Sequence, residues 1–242
     1  MALPKLDVPI YEAKLISNGK TVRFRPFTVK EQKLFLMAAE SEDADNSIKT
    51  IGQVLQNCIV DDIDIQNIPL FDIENLFLNL RARSVGEMVN LKYRCNNSIE
   101  NEQVKHECGN IVQVDLNILE IEPKIDGNHN NKIEITDKLG IVMKYPTFKM
   151  VQSATGQIDQ TLLDMIVDCI DYIYDDEQLY YAKDTTRAEL SEFVEGMQTR
   201  DLDKIKLFFD TMPAIQKKID FTCNKCGYHE EILLEGTDSF FV

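Results

Sequence analysis

The feature that most constrains this chain is the spacing of four of its six cysteines. Near the end of the sequence, Cys223 and Cys226 are separated by two residues and followed by Gly227. This spacing is typical of a zinc knuckle, in which a tight turn brings two thiolates to one ion and glycine relieves backbone strain. A closed tetrahedral site needs four ligands. Cys95 and Cys108 supply the second pair, so the sequence predicts one structural zinc ion held by four cysteines.

The first cysteine pair is spaced unusually. Twelve residues, 96–107, separate Cys95 from Cys108, and their polar and charged composition predicts an exposed loop that grows from the turn. Each pair lies between strand-like segments, as in a zinc ribbon.

Three alternatives to this ligand set remain open. His106 could replace Cys108, and His229 could join the second pair. The third alternative is a redox dithiol formed by Cys223 and Cys226. It is disfavoured because such a dithiol begins a helix in a strand–helix–strand unit, whereas this pair lies between two predicted strands.

The two other cysteines, Cys58 and Cys169, lie at helical spacing among isoleucine and leucine, and we expect them to be small core residues. A zinc ion with four protein ligands has no open coordination position and acts as a cross-link. Because the two ligand pairs lie in different halves of the chain, we expect this zinc to join the halves.

The sequence follows one order of features twice. Each pass begins with a strand interrupted by proline, continues through amphipathic helices and an acidic pair, and ends with a strand that leads into a cysteine-bearing turn. Corresponding residues lie 111 to 128 positions apart: Pro26 and Pro146, Cys58 and Cys169, Cys95 and Cys223, Cys108 and Cys226. We therefore predict an α+β fold of two related halves, 1–122 and 123–242, each with helices and short antiparallel strand pairs, joined by a split four-cysteine zinc-ribbon-like site.

Within the second half, one helix is predicted from the helical spacing of five residues: Leu162, Ile166, Cys169, Ile170 and Ile173. The acidic clusters around Asp61 and Asp175 lack the regular spacing and glycine of a calcium loop, so we expect solvated helix ends.

The residues also argue against catalysis. A hydrolase needs a nucleophile beside a base, a phosphate enzyme needs a glycine-rich loop, and a metalloenzyme needs an open ligand set. None of these patterns is recognised. The three histidines, His106, His129 and His229, lie in polar contexts where we expect exposed side chains.

Charge points to a protein partner. The 41 acidic and 26 basic residues give a net charge of −15, which repels nucleic acid and anionic membrane surfaces. The N-terminus has no apolar run of signal-peptide length, and no stretch approaches the roughly 18 apolar residues that span a bilayer. We therefore expect a cytoplasmic protein whose cysteines are not disulfide-bonded.

Several motifs resemble one family. Residues 25–31 (RPFTVKE), 38–41 (AAES) and 81–87 (RARSVGE), followed by the closing cysteine motif, resemble the baseplate hub and hub-assembly proteins of T4-like contractile-tailed phages over nearly the whole chain. The wide spacing of Cys95 and Cys108 departs from the compact paired-knuckle pattern.

The resemblance implies a non-enzymatic protein made in the cytoplasm of the infected host and needed to build the hub of the tail baseplate. Its implied partners are other baseplate hub proteins and the tape-measure protein. The resemblance leaves open whether such a protein remains in the tail baseplate of the virion or acts only during assembly. The second hypothesis is a transient chaperone that shields the helical tape-measure protein.

Two further segments are candidate contacts. The basic run 81–87 could hold a partner's carboxylates, although we expect it to pair with acids of this chain. The apolar C-terminal residues Phe240, Phe241 and Val242 could contact a partner or pack on the chain's own core.

Overall fold

The computed structural model describes residues 7–40, 44–101, 104–154 and 162–236. Within these residues the chain forms seven α-helices: α1 (Val29–Glu40), α2 (Ala44–Cys58), α3 (Leu70–Ser84), α4 (Phe148–Ala154), α5 (Leu162–Asp168), α6 (Arg187–Glu195) and α7 (Thr199–Thr211). The mixture of helices with small antiparallel sheets confirms the predicted α+β class. None of the described helices combines the length and the apolar character needed to cross a membrane.

The described strands form short antiparallel sheets. Thirteen strands are present: β1 (Tyr11–Lys14), β2 (Thr21–Phe24), β3 (Met88–Arg94), β4 (Ser98–Asn101), β5 (Val104–Glu107), β6 (Ile111–Asn117), β7 (Pro123–Lys124), β8 (Lys132–Glu134), β9 (Gly140–Met143), β10 (Ile170–Tyr174), β11 (Leu179–Tyr181), β12 (Ala214–Thr222) and β13 (His229–Glu235). Their sheet orders are β1-β2, β3-β6, β4-β5, β11-β10-β9-β8 and β13-β12-β7. Because hairpins dominate, most pairing is local; the exceptions are β12, which also pairs with β7, and β10, which pairs with β9 across α4 and α5.

The first half is built around helix α2. Its apolar residues recur at helical spacing, so Val54, Leu55 and Cys58 all face the interior and are buried. They pack against the β1–β2 hairpin and one face of α3. Burial raises the pKa of the Cys58 thiol to about 11, and this cysteine is a core residue, as predicted.

The RPFTVKE motif, residues 25–31, links the start of α1 to the end of α2 through hydrogen bonds. Glu31 is buried, and its carboxylate accepts hydrogen bonds from Thr28 and from the Arg25 guanidinium, whose Nη2 lies 2.8 Å from Oε1. The same guanidinium group donates to the carbonyl of Asn57, near the end of α2. One buried carboxylate thus fixes the N-terminus of α1 and, through arginine, the end of the next helix.

The second half has its own core, and one predicted helix in it, α5, ends earlier than the sequence predicted. Helix α5 ends at Asp168, and residues 170–174 form strand β10, paired with β9. A register shift between Ile170 and Tyr172 adds a residue to this strand. Ile170 and Ile173 are consequently both buried although they are three positions apart, which imitates helical spacing. Cys169 is buried as predicted, and burial raises its pKa to about 12.

The two hairpin–helix units share hydrogen bonds at corresponding positions. The Arg25 N–H donates to the carbonyl of Cys58 (2.9 Å), and the Lys144 N–H donates to the carbonyl of Cys169 (2.8 Å). Cys58 ends α2 and Cys169 follows α5. The next residue, Ile59 or Ile170, pairs with the last residue of the preceding strand, Phe24 of β2 or Met143 of β9. The two hydrogen bonds match Arg25 with Lys144 and therefore place Pro146 opposite Phe27, not opposite Pro26 as the sequence comparison predicted. The relationship between the halves and their boundary at residue 122 stay predictions.

A third core lies between the halves. The second face of α3, through Leu78 and Ala82, packs with β3 and β6 of the first half. Ile215 and Ile219 of β12 and Leu234 of β13 complete the cluster from the second half. The halves therefore share buried apolar surface in addition to the cysteines.

Other sequence expectations need correction. His129 is not an exposed loop residue: its ring stacks on Tyr145, its Nδ1 lies 3.0 Å from Thr211 Oγ1, and burial lowers its pKa. Asp175 is not at a helix end, since it accepts N–H bonds within the β10–β11 turn. Asp61 follows α2 but forms an ion pair with Arg23 at 2.7 Å.

The basic run 81–87 begins in the last turn of α3, where Arg81 donates to the carbonyl of Gly86 and Arg83 lies 5.1 Å from the centre of the Tyr11 ring. The proposed C-terminal contact, residues 240–242, lies outside the described residues.

Candidate metal centre

The structure brings together the four cysteines that the sequence singled out. The sulfur atoms of Cys95, Cys108, Cys223 and Cys226 all lie within 4.8 Å of one another. Cys95 and Cys226 Sγ are 3.7 Å apart, and Cys108 and Cys223 Sγ are 3.8 Å apart. Three of the cysteines are buried and Cys226 is half-buried.

The second pair forms a compact knuckle between β12 and β13. The Cys223 N–H donates to the carbonyl of Tyr228, and the Gly227 N–H donates to that of Cys223, both at 2.8 Å. Gly227 has a φ of +73°, a conformation that a residue with a Cβ rarely adopts. The glycine in the motif therefore allows the chain to reverse immediately after the second thiol.

The first pair repeats this geometry between β3 and β6. The Cys95 N–H donates to the carbonyl of Asn110 (2.8 Å), and the Gly109 N–H donates to that of Cys95 (3.0 Å). Gly109 has a φ of +63°. Both pairs thus have the same main-chain frame although their sequence spacings differ.

The segment between Cys95 and Cys108 is not the irregular loop that its composition predicts. Strands β4 and β5 pair as a second hairpin that leaves the knuckle at one cysteine and returns at the other. The Cys108 N–H donates to the carbonyl of Asn97 (2.8 Å) and closes the base of this hairpin. Because antiparallel pairing brings the hairpin ends together, the two thiols are adjacent although twelve residues separate Cys95 from Cys108.

The geometry fits a tetrahedral metal ion. With metal–sulfur distances near 2.3 Å, the sulfur atoms of a regular tetrahedron lie about 3.8 Å apart. Two of the six sulfur–sulfur distances, 3.7 and 3.8 Å, agree with this value, and all six lie within 4.8 Å. The four cysteines can therefore bind one metal ion with a closed set of protein ligands.

Side-chain amides contact two of the sulfur atoms. Asn110 Nδ2 lies 3.5 Å from Cys223 Sγ, and Asn97 Nδ2 lies 3.6 Å from Cys226 Sγ. N–H donors stabilise negative charge on thiolates and orient metal ligands. Neither asparagine was predicted from the sequence; their positions, two residues after each cysteine of the first pair, were the available signal.

Ionisation differs between the two pairs. Burial opposes ionisation of Cys223, but the backbone N–H groups of Cys226 and Lys225 outweigh it and lower the pKa to about 6. For Cys226, the backbone N–H of Tyr228 lowers the pKa. The second knuckle is thus prepared to supply thiolates.

In the first pair, burial raises the pKa of Cys95 to about 12. The backbone N–H of Asn110 favours the Cys108 thiolate, but burial and the thiols of Cys226 and Cys223 outweigh it and raise the pKa of Cys108. Four sulfur atoms at this separation cannot all carry negative charge without a cation, and a divalent ion would favour ionisation of all four.

Neither histidine considered as a ligand belongs to this group. His106 lies on β5 opposite Ile99, and its side chain is exposed. His229 begins β13, and its Nε2 lies 3.7 Å from Asp220 Oδ1. Within the described residues, the cluster consists of four thiols.

The fold and the site together define an α+β protein with a buried four-cysteine cluster between two strand pairs. A family model described as T4 bacteriophage base plate protein matches residues 8–242. The chain belongs to this family, which confirms the resemblance carried by its sequence motifs and indicates a structural role in a phage baseplate. No curated protein and no solved structure matches the chain.

Proposed function

We propose that this chain is a non-enzymatic structural or assembly protein of the baseplate hub of a contractile-tailed, T4-like phage, and that it folds around one structural zinc ion. The observation that carries the proposal is the family match across residues 8–242. The matched range includes both cysteine pairs. Virion tail and host cytoplasm are the corresponding locations.

The geometry of Cys95, Cys108, Cys223 and Cys226 supports the zinc assignment. Thiolates at tetrahedral separation suit zinc, and a site filled by four protein ligands leaves no position for water or substrate. Bound zinc would supply a cross-link, not a reaction. Since Cys108 and Cys223 are 115 positions apart, this cross-link would connect distant parts of the chain.

The family also supports partners within the baseplate. The net charge of −15 disfavours nucleic acid and anionic membranes as ligands. The partners that we propose are the other hub proteins and the tape-measure protein.

A phage with this gene disrupted, complemented in trans by an affinity-tagged copy, tests the role. We expect loss of complete hubs without complementation, and co-purification of the tagged chain with hub proteins during infection. Normal numbers of complete baseplates without the chain would overturn the proposal.

Quantitative mass spectrometry of finished virions separates the two forms of the proposal. A fixed ratio of this chain to hub proteins would identify a structural component. Presence in hub precursors but absence from virions would identify an assembly factor, and recovery with free tape-measure protein alone would favour the chaperone hypothesis.

A further inference from the structure

The two halves of the chain meet through a short main-chain joint. The Leu70 N–H donates to the carbonyl of Pro146, and the Phe148 N–H donates to the carbonyl of Ile68, both at 3.0 Å. Residues 68–70 precede or begin α3, and residues 146–148 precede or begin α4. The joint therefore couples the starts of two helices from different halves.

The first half also contains a counterpart of residues 146–148, and the second half contains a counterpart of residues 68–70. In the first half, Thr28 precedes α1 as Thr147 precedes α4, and each carbonyl accepts the N–H four residues later. In the second half, Gln198 precedes α7 as Pro69 precedes α3, and both have extended ψ angles near 150°.

The first turns of α3 and α7 also correspond. Each contains a buried aspartate, Asp72 in α3 and Asp201 in α7. Each aspartate N–H donates to the carbonyl of the residue before the helix, Pro69 or Gln198. Residues 197–199 are consequently the second-half equivalent of residues 68–70.

The counterpart groups are unused. In the first half, the Val29 N–H corresponds to that of Phe148, and the Phe27 carbonyl to that of Pro146. In the second half, the Thr199 N–H corresponds to that of Leu70, and the Met197 carbonyl to that of Ile68. None of these four groups has a hydrogen-bond partner within the described part of the chain. Val29 is 70% exposed, whereas Phe148 is 2% exposed.

We propose that the joint is repeated between molecules, so that copies of this chain associate head to tail. The head surface is residues 27–29 with the exposed α1 side chains Leu36 and Met37. The tail surface is residues 197–199 with the exposed α5 side chains Leu162 and Met165. The Thr199 N–H of one copy donates to the Phe27 carbonyl of the next, whose Val29 N–H donates to the Met197 carbonyl of the first.

The apolar side chains of the head surface fit this arrangement. Val29, Leu36 and Met37 lie seven and eight positions apart on α1, which places them on one face of the helix. All three are more than half exposed, although burial is the usual environment for such side chains. Of these three side chains, Val29 has a counterpart among the described residues, Phe148 of α4, and that helix packs against α2 and α3 in the joint.

Beside the tail surface, a larger residue stands where the joint has a glycine. In the joint, the Phe148 ring fills the space beside Gly52, where a Cβ would lie 2.5 Å from the ring. Cys58 and Cys169 fix the correspondence of α2 and α5, so Leu163, which is half-buried against the second-half core, stands in the place of Gly52. A smaller head residue, Val29, thus meets a larger tail residue.

The proposed interface consists of two main-chain hydrogen bonds and a few apolar side chains. We therefore expect a weak complex that must be tested at high protein concentration. A head-to-tail interface joins different surfaces and lets chains grow, whereas a symmetric dimer uses one surface twice.

Sedimentation equilibrium up to about 1 mM tests the proposal. We expect the weight-average mass of the wild type to rise above the 27.8 kDa of one chain with increasing concentration. Val29→Asp places a charge on the head, and Thr199→Pro removes the tail N–H; each variant alone should remain at one chain mass. Proline is well tolerated at the first position of a helix, and the extended Gln198 before it is compatible with proline.

Mixing the two variants distinguishes a head-to-tail interface from a symmetric one. Val29→Asp retains an intact tail and Thr199→Pro an intact head, so the equimolar mixture should form a dimer that cannot grow. Ile125→Asp, at an exposed residue outside both surfaces, serves as the control and should associate like the wild type. Circular dichroism must show all variants folded.

Two results would overturn the proposal. A wild-type mass that stays at one chain throughout the range would exclude the association. Association of the wild type without dimer formation in the mixture would point to another interface, either a symmetric one or one that uses different surfaces.

Discussion

The sulfur atom of Cys95 lies 3.7 Å from that of Cys226, although the two residues are 131 positions apart in the chain. Each cysteine belongs to a local turn at the end of a strand pair, so neither half alone assembles the cluster. The site therefore depends on the packing of β3 and β6 against β12 and β13, through residues such as Tyr93 and Phe221, whose rings are 6.2 Å apart. Metal binding at this site would accordingly be coupled to association of the halves.

Cys223→Ser is expected to remove the zinc ion. Serine has nearly the same side-chain size as cysteine but is a poor zinc ligand. The remaining thiols then no longer form a closed four-ligand site. We expect one zinc per wild-type chain and none in the variant by elemental mass spectrometry. Because structural zinc contributes on the order of 10 kcal/mol in small peptides, we expect Tm to fall by at least about 10 °C.

Cys169→Ala is the matched control for that experiment. This cysteine is equally buried but lies in the second-half core, away from the cluster. The variant should retain one zinc per chain and lose about 1 kcal/mol of stability through the small cavity. Metal-free wild-type protein with a cooperative melt, or zinc retained by Cys223→Ser, would contradict the assigned site.

Asn110→Ala should weaken metal binding without abolishing it. The side-chain amide contacts Cys223 Sγ at 3.5 Å and also donates to Asn224 at 2.7 Å. Loss of such a donor is expected to weaken zinc affinity by about 10-fold, measured by competition with a chromogenic chelator. Asn90→Ala, which removes an exposed hydrogen bond to Asp115 on the same strand pair, should leave the affinity unchanged.

Glu31→Gln should destabilise the protein in a pH-dependent manner. The hydrogen bond from Arg25, aided by those from Thr28, outweighs burial and lowers the pKa of Glu31 from 4.5 to about 2. A carboxylate with a lowered folded-state pKa stabilises the fold above pH 4.5, and its contribution is lost as pH falls through about 2.

Urea unfolding at several pH values measures this effect. At pH 7 the variant should lose about 2 kcal/mol, the typical contribution of hydrogen bonds to a charged group. The difference between wild type and variant should shrink between pH 4.5 and 2. A difference that stays constant from pH 7 to pH 3 would show that the carboxylate charge is not responsible.

Phe148→Ala should destabilise the first half although residue 148 belongs to the second. The ring is 2% exposed and belongs to the core formed by β1, β2, α2 and α3. Truncation of a buried phenylalanine costs about 3–5 kcal/mol in urea unfolding. Lys149→Ala, an exposed neighbour on α4, should change stability by less than about 0.5 kcal/mol. A loss below about 1 kcal/mol for Phe148→Ala would contradict the observed packing.

Much of the local structure was predictable from the sequence. The spacing of the α2 residues indicates the helix and its buried face because the helical period is a local property. Gly109 and Gly227 follow cysteines where the chain must reverse, and both adopt the positive φ that only glycine favours. The failures came where a local pattern was ambiguous: Ile170 and Ile173 lie on a bulged strand, and residues 96–107 pair with each other in spite of their polarity.

The sequence by itself determined the residue types of the site, the glycine turns beside it, the α+β class and the family motifs. Only the tertiary structure decided that Cys95 meets Cys226, that Asn97 and Asn110 contact the sulfur atoms, and that Phe148 enters the opposite half. The physical reason is the range of the interactions. Turn and helix preferences act within a few residues, whereas the cluster and the joint depend on packing between segments more than 70 positions apart, as for Leu70 and Pro146.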